Sequence, residues 1–134
     1  MSEVDKPRVL IVDDNNFNIG LIRSALYPEF KLMVAHSGRQ GLKIAMEFKP
    51  DLVLLDVMMP DLDGYKVCAA LKEHEATRHI PVVFLSSLDE PSDAERGLQL
   101  GAVDFLHKPF RTDVVLETVR MHVGKPSSSS GPSL

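Results

Sequence analysis

Five short apolar runs, separated by segments long enough for a helix, constrain the fold of this chain more than any other feature. Most of these runs are apolar at every position rather than at alternate positions, which is typical of strands buried on both faces of a parallel sheet. We therefore predict five strands, within residues 9–12, 32–35, 52–55, 82–85 and 102–106.

The segments between the runs carry apolar residues at helical spacing. Two of the helix starts also resemble capping boxes, Ser37 with Gln40 and Ser92 with Glu95. The alternation predicts an α/β domain with right-handed crossovers. We expect the domain to span residues 8–123, and the Ser/Pro-rich residues 124–134 to be a flexible linker or a tail added during cloning. The predicted helix faces are Phe17, Leu21, Ile22, Ala25, Leu26; Leu42, Ala45, Met46; Val67, Leu71; Ala94, Leu98; and Val115, Leu116, Val119, Val123.

Composition excludes several classes of protein. The net charge of −4 and the pI of about 5.7 disfavour direct nucleic-acid binding and a polybasic membrane surface. Cys68 is the only cysteine, so no internal disulfide can form. The first residues do not resemble a signal peptide, and no apolar run approaches the roughly 20 residues of a membrane span. We expect a cytoplasmic protein.

Polar residues follow the ends of four predicted strands. Asp13 and Asp14 follow the first, Asp56 follows the third, and Ser86 follows the fourth, with Ser87 beside it. Lys108 follows the fifth. Ligands of open parallel sheets bind at the carboxyl ends of the strands, so we expect these groups to converge. Carboxylates without a His/Cys cluster suit a hard cation such as Mg²⁺, and with a lysine and a hydroxyl they suit phosphoryl transfer to a carboxylate.

Each of these residues also has a purely structural interpretation. Asp13 or Asp14 could cap the next helix, and Asp56, Ser86 and Ser87 could be turn or cap residues. Lys108 could be an ordinary solvated lysine. Together, these alternatives require that several strand ends carry suitable groups by accident, which disfavours them. The histidines have no metal-ligand spacing, Cys68 lies on an apolar helix face, and neither a Gly-x-Gly-x-x-Gly nor a Walker loop is present.

Four motifs in order resemble the receiver domains of two-component response regulators, including the chemotaxis regulators. They are Val-Leu-Ile-Val-Asp-Asp at 9–14, the stretch 51–64 around Leu-Asp-Val-Met-Met-Pro, Ile-Pro-Val-Val-Phe-Leu-Ser-Ser at 80–87, and Gly-Ala-Val-Asp-Phe-Leu-His-Lys-Pro-Phe at 101–110. The resemblance implies a doubly wound, five-stranded parallel sheet of order 2-1-3-4-5 in a flavodoxin-like three-layer sandwich.

The resemblance also implies roles for the residues at the strand ends. Asp56 corresponds to the phospho-acceptor and to a Mg²⁺ ligand. Asp14 corresponds to the direct metal ligand and Asp13 to one that acts through water, while the backbone carbonyl of Met58 completes the set.

Three further positions match the family's switch. Ser86 corresponds to the hydroxyl that hydrogen-bonds the phosphoryl group, and Lys108 to the lysine that pairs with that group. The resemblance also implies a cis peptide between Lys108 and Pro109. Phe105 corresponds to the aromatic switch residue. The residues that flank the approach of hydrolytic water are Met58 and Leu88, neither of which can orient water, so we expect a long-lived acyl phosphate.

The function implied by the resemblance is a phosphorylation-dependent signalling switch. A sensor histidine kinase or a phosphotransfer protein donates the phosphoryl group, and an output domain or partner, such as a cyclic-dinucleotide enzyme or a hybrid kinase, reads the state. The family also implies a phosphorylation-dependent dimer through the fourth helix, fifth strand and fifth helix. The expected activity is limited to self-phosphorylation and autodephosphorylation, so the chain is not a turnover enzyme.

Two other functions remain as alternatives. The first is a Mg²⁺-dependent phosphatase with an aspartyl nucleophile, which requires Asp-x-Asp where this chain has Asp56-Val57-Met58. The second is a flavodoxin-like flavin module, which depends on analogy of fold alone.

Overall fold

The structure is a computed structural model that describes residues 6–86 and 91–123, with only the backbone described at 91–94. In these ranges, strands and helices alternate without exception along the chain. The strands are β1 (Arg8–Val12), β2 (Lys31–Ala35), β3 (Leu52–Asp56), β4 (Val82–Ser86) and β5 (Asp104–His107). The helices are α1 (Asn16–Leu26), α2 (Gly38–Phe48), α3 (Gly64–Glu73), α4 (Pro91–Gln99) and α5 (Thr112–His122).

The five strands form one parallel sheet in the order β2-β1-β3-β4-β5, which confirms the predicted topology. Every residue of β3 and β4 is buried, whereas the edge strands β2 and β5 are partly exposed. The central strands are apolar because both of their faces are covered by helices. The fifth strand begins at Asp104, two residues later than predicted. The Ala102 amide still donates back to the Gly97 carbonyl of α4, and the Val103 amide makes a first bond to the Val82 carbonyl of β4.

Two hydrophobic clusters cover the two faces of the sheet, so the chain is the three-layer sandwich that was predicted. Alternate strand residues point to opposite faces: Leu10 and Val12 join the cluster beneath α2 and α3, and Val9 and Ile11 join the cluster beneath α1 and α5. Cys68 is fully buried in the first cluster, which confirms its prediction as a packed core thiol.

Two residues predicted to lie on buried helix faces are exposed instead. Phe17 is 74% exposed, because Ile19, Ile22 and Leu26 define the buried face of α1 and Phe17 lies about 140° around the helix from Ile22. Leu98 is 52% exposed. Among residues 95–99, the part of α4 whose burial is described, the buried residue is its neighbour Gly97, which has no side chain to reveal the packed face in the sequence.

The two predicted capping boxes have different outcomes. Ser37 caps α2 by accepting a bond from the Gln40 amide, and the Gln40 side-chain oxygen accepts from the amide of His36 rather than from that of Ser37. The prediction at Ser92 is wrong, because α4 already begins at Pro91, a residue suited to the first turn of a helix.

None of the five helices in the described part of the chain combines the length and the apolar character that a bilayer crossing requires.

Candidate functional site at the carboxyl edge of the sheet

The predicted polar residues meet at the carboxyl edge of the sheet, because parallel strands all end on the same side. Asp13 follows β1, Asp56 ends β3, Ser86 ends β4, and Lys108 follows β5. Asp56 lies in register with Leu85, so that Ser86 is one residue further along the neighbouring strand. The expected convergence is therefore confirmed, while Ser87 and Leu88 lie outside the described residues.

Three carboxylates form the centre of this site. Asp13, Asp14 and Asp56 each contribute an oxygen atom, and these atoms all lie within 4.8 Å of one another. Asp13 and Asp56 are buried, whereas Asp14 is exposed. Burial and the charge of Asp13 raise the pKa of Asp56 to about 6, although Lys108 opposes the shift. Burial also raises the pKa of Asp13. The cluster therefore carries negative charge that protein groups only partly compensate.

The donor chemistry of this cluster fits a hard divalent cation. All of its side-chain ligand atoms are carboxylate oxygens, which Mg²⁺ prefers over nitrogen or sulfur. A cation at this position would favour the ionised forms of Asp13 and Asp56, whose pKa values burial raises. The cluster is therefore a candidate metal centre.

Asp13 is held in place by the start of α1. Its Oδ1 accepts a hydrogen bond from the amide of Asn15 at 2.9 Å, and its Oδ2 accepts a longer one from the Asn18 side chain at 3.4 Å. The residue that caps α1 is Asn15, whose side chain accepts from the amide of Asn18. The interpretation of Asp13 or Asp14 as the helix cap is therefore wrong, and sequence analysis missed the two asparagines.

Lys108 contacts the buried carboxylate directly. Its Nζ lies 3.1 Å from Oδ1 of Asp56, and the Lys108 side chain is 23% exposed against 3% for Asp56. Its amide donates to the carbonyl of Ser86 at 2.9 Å, which ties the end of β5 to the end of β4. The Lys108–Pro109 peptide is cis, as the resemblance implied. Lys108 is therefore not an ordinary solvated lysine.

The two predicted switch residues lie on the α4 side of the sheet. Ser86 is buried at the end of β4. Phe105 is partly buried, with its ring centroid 5.6 Å from that of Phe84. A Cβ atom placed on Gly97 would lie 2.7 Å from the Phe105 ring, so the backbone of α4 packs directly on this ring.

Tyr65 and Arg96 extend this aromatic packing, and sequence analysis did not identify either of them. The Tyr65 ring centroid lies 5.2 Å from that of Phe84, and the guanidinium carbon of Arg96 lies 4.1 Å from the centre of the Tyr65 ring. With Met58, Met59 and neighbouring residues, Tyr65 and Arg96 line a groove of about 590 Å³ beside the acidic cluster. Because Tyr65 is on α3 and Arg96 on α4, the pair links these two helices.

The β3–α3 loop, residues 57–63, carries Met58 past the site. Met58 has a 65% exposed side chain, and its amide lies 3.5 Å from Oδ1 of Asp56. The loop ends where Asp63 caps α3 and where Gly64 approaches the Asp56 carbonyl so closely that a Cβ atom would lie 2.2 Å from that oxygen. In the middle of the loop, the Asp61 side chain accepts bonds from two amides of α2.

Comparison with known proteins agrees with this geometry. The family model described as "Response regulator receiver domain" matches residues 9–120. The chain is 43% identical over 114 residues to the response regulator PleD of Caulobacter vibrioides. This match covers 84% of the chain and 25% of PleD. It is 37% identical over 123 residues to a probable cyclic di-GMP phosphodiesterase of Vibrio cholerae, which covers 92% of the chain and 28% of that protein.

Solved structures agree as well. The receiver domain of a sensor histidine kinase from Pseudomonas aeruginosa, with a magnesium ion coordinated in its active site cleft, has a TM-score of 0.81 and 28% identity. That match covers 89% of this chain and 98% of the solved chain. The chain thus spans only about a quarter of the two curated relatives above, but nearly all of a solved receiver domain. Because the family model matches most of the chain, the chain belongs to the receiver domains of two-component response regulators, which act as phosphorylation-dependent switches.

Proposed function

We propose that Asp56 is the phospho-acceptor of this receiver domain. The observation that supports this role best is a carboxylate on a side chain that is 3% exposed, at the end of a central strand, with an ammonium group 3.1 Å from its Oδ1. A carboxylate that only formed a turn would not need a buried position beside two further acids and a lysine. The aspartyl phosphatase alternative requires a second acid two residues after the nucleophile, where this chain has Met58.

Asp13, Asp14 and Asp56, with the backbone carbonyl of Met58, are the residues that would hold Mg²⁺. When bound, Mg²⁺ would supply positive charge for the oxygens of the transferred phosphoryl group. Asp14 is exposed and suits direct ligation. Asp13 already accepts hydrogen bonds at both oxygens, which favours contact with the metal through water.

In the proposed transfer, a carboxylate oxygen of Asp56 attacks the phosphorus of a phosphohistidine on the partner. The oxygen–phosphorus bond forms as the phosphorus–nitrogen bond breaks, and the imidazole leaves with the electron pair of that bond. Lys108 faces the same carboxylate, so its positive charge is already in position for the acyl phosphate. No base is needed, because the carboxylate carries no proton when it reacts. The imidazole leaves as a neutral ring, because its other nitrogen carries a proton in the reacting phosphohistidine.

The signal would then pass from Asp56 to the aromatic packing under α4. A phosphoryl group on Asp56 attracts the Ser86 hydroxyl, and Phe105 rotates into the space that Ser86 leaves. Such a switch is a shift between two conformations, one of which interacts better with the phosphoryl group.

The family implies a histidine kinase or phosphotransfer protein as the phosphoryl donor. We propose that residues 8–123 form the receiver domain, that 124–134 form a linker or tail, and that the domain acts in the cytoplasm without turnover chemistry of its own. A cyclic-dinucleotide enzyme is the proposed output, because two relatives are PleD and a probable cyclic di-GMP phosphodiesterase. A hybrid kinase is the alternative output. We also propose a phosphorylation-dependent dimer through α4, β5 and α5.

Phosphorylation by a small donor tests the acceptor. With acetyl phosphate and Mg²⁺, we expect one phosphoryl group per chain by intact mass, and none on Asp56→Asn, which lacks the nucleophilic oxygen. Asp63→Asn, a change of the same type at the cap of α3, is the matched control and should be labelled like the wild type. Equal labelling of Asp56→Asn and the wild type would refute the assignment of Asp56.

Beryllofluoride, which mimics the phosphoryl group, tests the switch. We expect amide chemical-shift changes near Asp13 and Asp56 and also across residues 86–110, because Phe105 and α4 pack together. Changes confined to residues 13–14 and 56–60 would contradict the proposed movement of Ser86 and Phe105.

A further inference from the structure

We propose that Asp61 is a positioning residue for the metal and phosphoryl site, because it fastens the β3–α3 loop to the start of α2. This inference depends on the proposed function of the acidic cluster. Asp61 itself contacts no reacting group. Its carboxylate acts through the loop that carries the Met58 carbonyl past Asp56.

The start of α2 has four backbone amides, those of residues 37–40, without a partner within the helix. Ser37 satisfies one of them, since its Oγ accepts from the Gln40 amide. Two more, those of Gly38 and Arg39, donate to Oδ1 and Oδ2 of Asp61, each at 3.0 Å. A carboxylate from a different element thus caps two amides of α2.

The start of α2 and the β3–α3 loop are in close backbone contact. A Cβ atom on Gly38 would lie 2.4 Å from the carbonyl oxygen of Leu62, so only glycine lets the two backbones approach so closely. The two hydrogen bonds of Asp61 therefore act across an interface that is already packed. Helix α2 itself is seated on the sheet, since a Cβ atom on Gly41 would lie 2.7 Å from the side chain of Val12.

The contact with α2 is one of two attachments of the β3–α3 loop. The loop is also held at its far end, where the Gly64 amide donates to the Val57 carbonyl at 2.9 Å and Asp63 caps α3. Met58 lies between these ends, and its amide is 3.5 Å from Asp56, which is a weak contact. Asp61 therefore adds a bidentate attachment to the stretch between Met58 and the start of α3, and thereby limits where the Met58 carbonyl can point.

The test is a Mg²⁺ titration of the full chain, in which amide chemical shifts at residues 13–14 and 56–60 report binding. Asp61→Ala removes both acceptors, and we expect Mg²⁺ affinity to fall by about tenfold, as for other groups that orient a metal ligand. Asp61→Asn keeps one acceptor oxygen and should recover part of that affinity. Hydrogen exchange at Gly38 and Arg39 should accelerate in Asp61→Ala, and this readout does not depend on the metal.

Ser37→Ala is the matched control, because it removes a cap bond from the same helix without touching the loop. It should weaken α2 and leave Mg²⁺ affinity unchanged. Equal losses of affinity in Ser37→Ala and Asp61→Ala would overturn the proposal, because the effect would then come from helix stability. Unchanged affinity in both Asp61 variants would overturn it too. A wild-type chain without Mg²⁺ affinity would instead contradict the proposed function.

Discussion

The carboxyl edge of the sheet has two halves that are held together by different forces. The acidic half, formed by Asp13, Asp56 and the β3–α3 loop, is fixed by hydrogen bonds and by the ion pair with Lys108. The aromatic half, formed by Tyr65, Phe84 and Phe105 against α4, is held by ring contacts and by a guanidinium over a ring.

This difference matches what each half has to do. Hydrogen bonds and ion pairs depend strongly on distance and angle, so the acidic half keeps its oxygens in position for a ligand. Apolar contact is not directional, so rings can slide or rotate without leaving a polar group unsatisfied. We therefore propose that the chemistry is located in the half that cannot move easily, and the conformational response in the half that can.

The largest expected effect tests the rigidity of the acidic half. In Gly64→Ala the new Cβ atom would meet the carbonyl oxygen of Asp56 at 2.2 Å and the Val57 Cα at 2.9 Å, both of them backbone atoms. We expect the free energy of unfolding to fall by about 3 kcal/mol or more, measured by urea denaturation. Gly20→Ala is the control, because that position has open space, and it should be neutral or stabilising. A loss below about 1 kcal/mol would show that the β3–α3 loop adapts.

The second effect concerns the buried negative charge of the acidic half in the absence of a metal. The pKa of Asp56 is raised from 3.8 to about 6 in the folded protein, so the folded state binds more protons than the unfolded state between these values. The free energy of unfolding should therefore fall by at most about 3 kcal/mol as the pH rises from about 4 to 6, and it should stay at the lower value above that range.

Asp56→Asn removes this charge, so it should be more stable than the wild type at neutral pH, with a smaller difference near pH 4.5. Urea denaturation at both pH values without Mg²⁺ measures the change. Glu75→Gln, which removes a carboxylate whose side chain is 90% exposed, serves as the control and should not change the pH dependence in this way. An Asp56→Asn variant that is less stable than the wild type at neutral pH would contradict the raised pKa of Asp56.

The smallest effect tests whether the aromatic half yields. In Gly97→Ala the new Cβ atom would meet only side chains, Phe105 at 2.7 Å and Phe84 at 2.8 Å. Phe105 is partly exposed and can turn away, whereas Phe84 is fully buried and has to shift slightly. Alanine also favours the helix, so we expect a loss of about 1–2 kcal/mol, smaller than that of Gly64→Ala. The Phe105 ring signals should shift in NMR spectra. A loss as large as that of Gly64→Ala would show that both halves are equally rigid.

Much of this organisation can be predicted from the sequence, because it depends on local patterns. The continuous apolar runs at 9–12, 52–55 and 82–85 identify strands that are buried on both faces, and the alternation with helices predicts parallel pairing. Because the strands are parallel, the residues at their carboxyl ends lie at one edge of the sheet: Asp13, Asp56, Ser86 and Lys108. This can be predicted without information on any side-chain contact. The sequence by itself therefore determines the class of fold and the list of groups at the candidate site.

Only the tertiary structure decides how those groups are held. Asp61 is one more polar loop residue in the sequence, and its two bonds to α2 join positions that are 22 and 23 residues apart. Phe17 is a large apolar residue, as is typical of a core, but it points away from the sheet. Gly97 lies on the packed face of α4, where it has no side chain that could indicate this face in the sequence. Local patterns report which residues repeat at the spacing of a strand or a helix. Rotation about a helix axis and contacts between distant backbones depend on how the elements pack together, and local spacing alone does not fix that packing.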